Sequence, residues 1–306
     1  MVDIKIASTR AGHHPLKPYL SAVSLLLILI VAPLVGARDG TLKVKFPTAP
    51  SDAIYKSHGS YHRKVLELVL SKTDVDYSII PVSVPVLPAT RVVRYLDANL
   101  FNVVVLHTDP HKEAQLIPIR VPMYRGLSGW RLLFIQKQQQ EFFKNINNLE
   151  QLKTLTAGQG IEWPDIAVLR SAGLSVVTAP HRDNLFKMLN HGRIDYFPRG
   201  VFEIWNETEF AEAENIVIES NLMLHYPTAF YMFVSKSEPE LAEILEKGFA
   251  AALNDGSFIS IFLDQFADPI KRANFKQRNI IELDNPTLTP ETPLNDKRLW
   301  FRPKES

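Results

Sequence analysis

The sequence predicts an α/β fold, and three observations carry that expectation. Short β-rich runs alternate with helical segments from LKVKF to FNVVVLHT. The same β-α-β-α-β order returns between LEQLKTLTAGQG and RIDYFPRG, in a second unit about as long as the first. Two longer extended runs, WRLLFIQ and TAFYMFVSK, stand between and after these units, where a crossing between domains is expected.

The N-terminus comes first in chain order. Lys5, Arg10 and Lys17 precede LSAVSLLLILIVA, which carries no charge from Leu20 to Ala32. Pro33 ends the run, and Val35, Gly36 and Ala37 supply small or modest side chains before Arg38. A secretory signal over residues 1–37, cleaved after Ala37, is expected. The alternative is an uncleaved anchor, since about 18 apolar residues almost span a bilayer. Either way the folded part lies outside the cytoplasm, and no second such segment follows.

LKVKF is the first strand. Tyr61, Val65, Leu68, Val69 and Lys72 then recur at helical spacing over residues 60–73, with Ser60 as N-cap. YSIIPVSV reads as a strand, ATRVVRYLDAN as a short helix and FNVVVLHT as a buried strand. VPMYRGLSGWRLLFIQ changes character, with a loop holding Gly126 and Gly129 before its extended run. In the second unit Gly173 and Gly192 fall just past apolar-periodic helices, where a left-handed C-terminal cap is expected. After TAFYMFVSK, Ser237 and Glu240 read as a capping box with Pro239 in the first turn. That helix buries Leu241, Ile244, Leu245, Phe249 and Leu253. A second helix begins near Ser257 with Phe258, Ile261, Phe262 and Phe266 on one face. The last thirty residues, rich in Pro, Asn, Thr and Lys, read as an extended surface tail.

Composition removes several function classes. The 306 residues carry a formal net charge of +1, with 46% hydrophobic and 22% charged residues. With no basic stripe interleaved with aromatics, nucleic acid is not an expected partner. Cysteine is absent, which excludes disulfides, thiolate chemistry and cysteine metal ligands.

GQGIEWPD, Gly158 to Asp165, raises the question of a phosphate loop. A Walker loop needs Lys and Ser or Thr after its second glycine, and Ile161 and Glu162 follow instead. A dinucleotide fingerprint needs a third glycine where Trp163 stands. What remains is either a glycine loop whose amides meet a small anion at a helix N-terminus, or a plain strand-to-helix turn packed by tryptophan. His58 and His62 are four apart, as are His107 and His111, but Gly59 and Ser60 interrupt the first pair and Pro110 puts the second in a turn. Solvated or capping histidines are the simpler reading, and no metal site is expected. GLSGW is not a nucleophile elbow. Asp165, Asp195 and Glu203 are candidate acid-base groups, though such carboxylates are ordinary on surfaces. RIDYFPRGVFEIW carries more: Arg199 at a strand end can hold a carboxylate bidentately, with Glu203 accepting from the same ligand. An Arg-Glu pair four residues apart, needing no ligand, is the competing reading.

IPIRVPMYRGLSGWRLLFI, GQGIEWPD with IAVLRSAGLSVV, and DNLFKMLNHGRIDYFPRGVFEI together resemble the extracytoplasmic solute-binding proteins of the type II periplasmic-binding fold. They are similar to the group related to amino-acid ABC-transporter binding proteins, in a proteobacterial subgroup, over about Leu42 to Phe266. The resemblance implies two α/β lobes, each a mixed sheet flanked by helices, with two crossover strands as hinge. Residues 38–132 and 226–306 would form lobe 1 and 133–225 lobe 2, with crossings near Trp130 to Gln136 and Leu222 to Val234. The implied protein is a periplasmic monomer that captures a small polar, anionic or carbonyl-bearing solute, uses no cofactor and performs no reaction. Its partner would be an inner-membrane permease or sensor. An enzyme of dehydratase, lyase or hydratase type on the same fold, or a degenerate module contacting a membrane protein, are the alternatives.

Two positions depart from that family. The arginine that amino-acid binders place after a threonine late in the first lobe is His111 here, in TDPHKEAQ. The aspartate they place after the strand matching RIDYFPRG is replaced by Arg199 and Gly200. Arg131 and Arg199 are therefore expected to supply cationic groups from either side of a cleft, and Tyr124, Trp130 and Trp163 a stacking surface. Gln159 and Glu203 complete the candidate ligand-binding set.

Overall fold

A computed structural model describes residues 40–48, 53–84 and 89–303. The signal over residues 1–37 and its cleavage after Ala37 lie outside the described residues, as does the side chain of His58. Among the described residues no helix is long and apolar enough to cross a membrane.

β1 (Leu42–Thr48) runs parallel to β2 (Tyr77–Ser83), with α1 (Ala53–Ser71) between them. The helix starts earlier than the periodicity from Ser60 indicates, so Ser60 lies inside it and both His58 and His62 are helical, without a break at Gly59. Burying Tyr61, Val65 and Val69 against the two late helices fixes the ladder, and preceding residues extend it because propagation costs less than nucleation. α2 (Ala89–Asp97), β3 (Val103–His107), α3 (Pro110–Gln115) and β4 (Leu116–Ile119) follow. Asp109 caps α3 by accepting from the Lys112 amide at 2.8 Å, with Pro110 opening its first turn.

A short turn over Leu127–Gly129 leads into β5 (Trp130–Gln136). Next come α4 (Gln140–Phe143), α5 (Leu149–Leu152), β6 (Thr156–Gly160), α6 (Asp165–Ser171), β7 (Ser175–Ala179), α7 (Arg182–Asn190) and β8 (Tyr196–Gly200). Gly173 and Gly192 adopt φ of 82° and 65°, the left-handed ends expected of them. The chain continues through α8 (Thr208–Ala213), β9 (Ile216–Ile218), β10 (Leu222–His225), β11 (Phe230–Ser235), α9 (Pro239–Asn254), α10 (Ser257–Ala273) and β12 (Asn279–Glu282).

Among the described residues the strands form three sheets: β1-β2, a mixed seven-stranded sheet ordered β12-β10-β5-β8-β6-β7 with β9 also on β5, and β3-β11-β4. The chain passes from the three-stranded to the seven-stranded sheet between Ile119 and Trp130, and returns between His225 and Phe230. Asn102 ties β1 to β3, donating its amide to Lys45 O and accepting from Lys45 N at 2.8 Å. Leu241, Leu245 and Phe249 of α9 and Phe258, Phe262 and Phe266 of α10 are buried, as their spacing indicates.

Two local expectations change. Glu238 is the N-cap of α9, and the Ser237 hydroxyl instead meets Ser235 Oγ at 2.9 Å, because that pairing closes the end of β11. The C-terminal segment is also more than a surface tail. β12 adds a parallel strand beside β10, and Leu299, Trp300 and Phe301 are buried. Phe301 N donates to Arg125 O at 2.6 Å. Trp300 lies so close to Gly126 that an added Cβ would sit 2.5 Å from its ring, and Gly126 also holds φ 74°.

Candidate functional site

The carboxyl ends of the parallel strands β6, β7 and β8 lie at the same edge as the start of antiparallel β5. At that edge Arg131 pairs with Gly200 and Leu132 with Arg199 in the ladder. Residues paired across a ladder share a face, and neighbours along a strand alternate. Arg131 and Arg199 therefore leave opposite faces of one sheet, rather than opposing sides of a cleft.

Each guanidinium finds a carboxylate. Arg131 Nη2 donates to Asp165 Oδ1 at 2.5 Å, and the Tyr226 hydroxyl donates to the same oxygen. Arg199 donates through Nε and Nη2 to the two oxygens of Glu207 at 2.8 and 2.7 Å, a bidentate fork. Glu203 sits between them at the strand end: its Oε2 is 3.4 Å from Arg131 Nη1 and 3.4 Å from Arg199 Nη1, and accepts from Gly200 N at 3.0 Å. Burial opposes the charged form of Arg199, but the carboxylates of Glu203 and Glu207 outweigh it and hold its pKa above the usual value. Arg131 behaves likewise, with Asp165 the strongest counter to burial.

The glycine stretch takes a different form from a loop. Gly158, Gln159 and Gly160 are the last residues of β6, and the turn comes at Ile161 and Glu162. Gly160 is small because the Trp163 indole folds back over it, where a Cβ would stand 2.5 Å from the ring. Arg199 lies over the other part of this arrangement, its guanidinium carbon 4.6 Å from the Trp163 ring centroid. The packed-tryptophan turn is thus what forms. Gln159 is fully buried, and among the described residues neither its Oε1 nor its Nε2 has a hydrogen-bond partner.

From the turn between β4 and β5, Tyr124 stacks on Phe202 at 4.8 Å with rings 12° apart, and its hydroxyl meets His62 Nε2 at 2.6 Å. Burial raises the Tyr124 phenol well above its usual pKa, and the charges of Tyr61 and Glu203 add to that rise. His107, half-buried, meets Thr228 Oγ1 at 2.8 Å. Burial pushes His107 down to about 4, partly offset by Asp165 and Asp109.

Tyr124, Arg131, Glu203, Arg199 and Trp163 thus form one connected set. Trp130 does not join it: its ring stacks on His225 at 3.7 Å and meets Phe275 edge-on at 5.2 Å. Asp195 sits at the far end of the strands, accepting from Thr156 N at 2.7 Å. The sequence reading missed Glu207, Tyr226 and Arg182, the last 3.6 Å from Glu207. Glu207 was detectable as an acid in the same turn-rich EIWNETE as Glu203; nothing local marks Tyr226. His111 pairs with Gln115, and among the described residues no group of three or more His, Cys, Asp or Glu is arranged to hold a metal.

No protein-family model and no curated protein matches this chain. Solved structures do. A probable amino-acid ABC transporter extracellular-binding protein from Bacillus subtilis superimposes with a TM-score of 0.56 at 13% identity, over 75% of this chain and 99% of its own. The periplasmic VFT2 domain of BvgS from Bordetella pertussis gives 0.52 at 19% identity, over 74% and 93%. An ancestral arginine-binding protein bound to arginine gives 0.50 at 18% identity, over 74% and 98%. With its mixed sheets, flanking helices and paired crossings, the chain has the two-lobed fold of the type II periplasmic solute-binding proteins.

Proposed function

We propose that this chain is an extracytoplasmic binding protein that captures a small polar solute at Arg131, Glu203 and Arg199, by closure of two lobes divided near residues 132 and 226. It hands the solute, or the signal of its capture, to a membrane permease or sensor and performs no reaction. The observation that carries this reading is the position of Glu203. Its carboxylate lies 3.4 Å from both guanidinium groups, a looser hold than the 2.5 Å of Arg131 to Asp165 or the 2.7 Å of Arg199 to Glu207. A solute carboxylate fits that place, and a displaced Glu203 then accepts from a donor on the same solute.

The charge balance refines the solute class. Arg131, Arg199 and Arg182 face Asp165, Glu203 and Glu207, three cations against three anions, with no positive surplus. An anionic solute would add uncompensated charge at a buried site, which is costly. A solute carrying both a carboxylate and an ammonium adds none, so an amino-acid-like zwitterion replaces the anionic expectation. That chemistry agrees with two structural neighbours, the ancestral arginine-binding protein bound to arginine and the probable amino-acid ABC transporter extracellular-binding protein.

Thermal-shift screening of the purified protein against amino acids, organic acids and sugars tests this. A ligand at about 100 times its Kd adds about 2.7 kcal/mol of stability. Amino acids are expected to raise Tm, Glu203→Gln to weaken that rise, and the bound compound to be recovered unchanged. No response to any of the three classes defeats the proposal, and recovery of a converted product establishes the enzyme alternative instead.

A further inference from the structure

The geometry points to a second ligand site, distinct from the arginine site, for a small flat aromatic anion. It is a cavity of about 870 Å³ between the start of β5, the end of β10, β12 and the C-terminal segment. That volume falls within the roughly 300–1,000 Å³ typical of small-molecule pockets.

Its walls are aromatic. Trp130 stacks on His225 at 3.7 Å and meets Phe275 edge-on at 5.2 Å, and Phe275 lies 5.5 Å from Phe301. Trp300 completes the lining, its indole Nε1 donating to Pro293 O at 2.8 Å, which fixes the ring in place. Such faces accept a flat ring by offset or edge contact.

Its charges select the sign of the ligand. Arg278 is spent on the carbonyls of Ala273, Glu219 and Leu222, and Glu282 is engaged by His225 at 2.5 Å. Lys276 and Arg302 also line the cavity, and among the described residues neither has an ion-pair partner. The two unmatched cations leave a positive surplus beside aromatic walls, in contrast to the balanced arginine site.

The site is separate from the proposed solute site because its lining, which includes Trp130, His225, Phe275 and Phe301, contains none of Arg131, Glu203 and Arg199. The inference therefore does not rest on the solute reading.

The test is calorimetric titration of the full chain with naphthoate, with naphthamide as the uncharged isostere and acetate as the ringless one. Naphthoate is expected to bind and the other two to bind at least about tenfold more weakly, as loss of a charge-assisted contact implies. Lys276→Gln with Arg302→Gln, both at solvent-accessible positions, is expected to weaken naphthoate by about tenfold or more and to leave Tm unchanged. Trp300→Leu removes a wall and adds a second readout. Absence of naphthoate binding overturns the site. So does equal binding of naphthamide, or affinity unchanged by the Lys276→Gln, Arg302→Gln pair. Glu203→Gln is expected to leave naphthoate affinity unchanged; tighter binding in that variant, which removes a carboxylate from between the Arg131 and Arg199 guanidinium groups, would place the ligand at the arginines and refute the second site.

Discussion

Replacing Glu207 with leucine strips Arg199 of both oxygens of its bidentate partner while leaving a side chain of similar bulk. Glu207 is 2% exposed and Arg199 5%, so solvent cannot take over the two lost contacts, at 2.8 and 2.7 Å. Charge-assisted hydrogen bonds contribute about 1.5–3 kcal/mol each, and leaving one buried charge unpaired costs about 3–5 kcal/mol. Arg199 retains Glu203 at 3.4 Å and the Trp163 face at 4.6 Å, which favours the lower end, about 3 kcal/mol. Arg182 is already one-third exposed and contributes little of this. Urea unfolding should show a lower midpoint with an unchanged slope. Adding Arg199→Met removes the stranded charge, and the double variant should recover to within about 1 kcal/mol of the parent, because well-packed apolar pairs substitute for buried ion pairs. A single-variant cost below about 1 kcal/mol, or no recovery in the double variant, would refute the account of Arg199 as a guanidinium anchored by Glu207.

Acid should act through His107. Its folded pKa of about 4 lies below the usual 6.5, so the unfolded chain binds a proton that the folded chain refuses. The stability this contributes is complete above pH 6.5 and is lost as pH falls towards 4, by about 3 kcal/mol, and His107→Gln should remove that part of the acid dependence in paired urea titrations. Gly160→Ala forces a Cβ to within 2.5 Å of Trp163, and should cost about 1–3 kcal/mol and shift tryptophan fluorescence as the indole leaves Arg199. An unaltered spectrum would contradict the close approach. Gln159→Leu should raise stability by about 1–2 kcal/mol, because both amide atoms are buried without partners. A loss of stability would mean the amide is satisfied after all.

Much of the fold was legible because it rests on local periodicity. The apolar spacing of α9 and α10 places Leu241, Leu245, Phe249, Phe258, Phe262 and Phe266 in the core, and Gly173 and Gly192 end helices in the left-handed region. The site was legible in part. Arg199 and Glu203 do meet, four apart, and Arg131 joins them at the same carboxylate. Trp130 is placed by a partner far along the chain: its ring stacks on His225, whereas the Arg131 guanidinium meets Asp165 and Glu203. GQG was read as a loop because glycine pairs locally mark turns. Its glycines answer instead to side chains far along the chain or folded back upon it, Ile194 at Gly158 and Trp163 at Gly160.

The sequence by itself determined the α/β class, the left-handed helix ends at Gly173 and Gly192, the identities of the charged residues at the carboxyl ends of the strands and the exclusion of cysteine and nucleotide chemistry. These follow from spacing, composition and the chemistry of single residues. Only the tertiary structure decided that Arg131 and Arg199 share one sheet edge, that Glu207 and Tyr226 complete their surroundings, and that the C-terminal segment returns to wall a second cavity. Those outcomes depend on strand register and on contacts between residues far apart in the chain, such as Phe301 with the Arg125 backbone. Free energies of long-range pairing set them, and no local pattern encodes them.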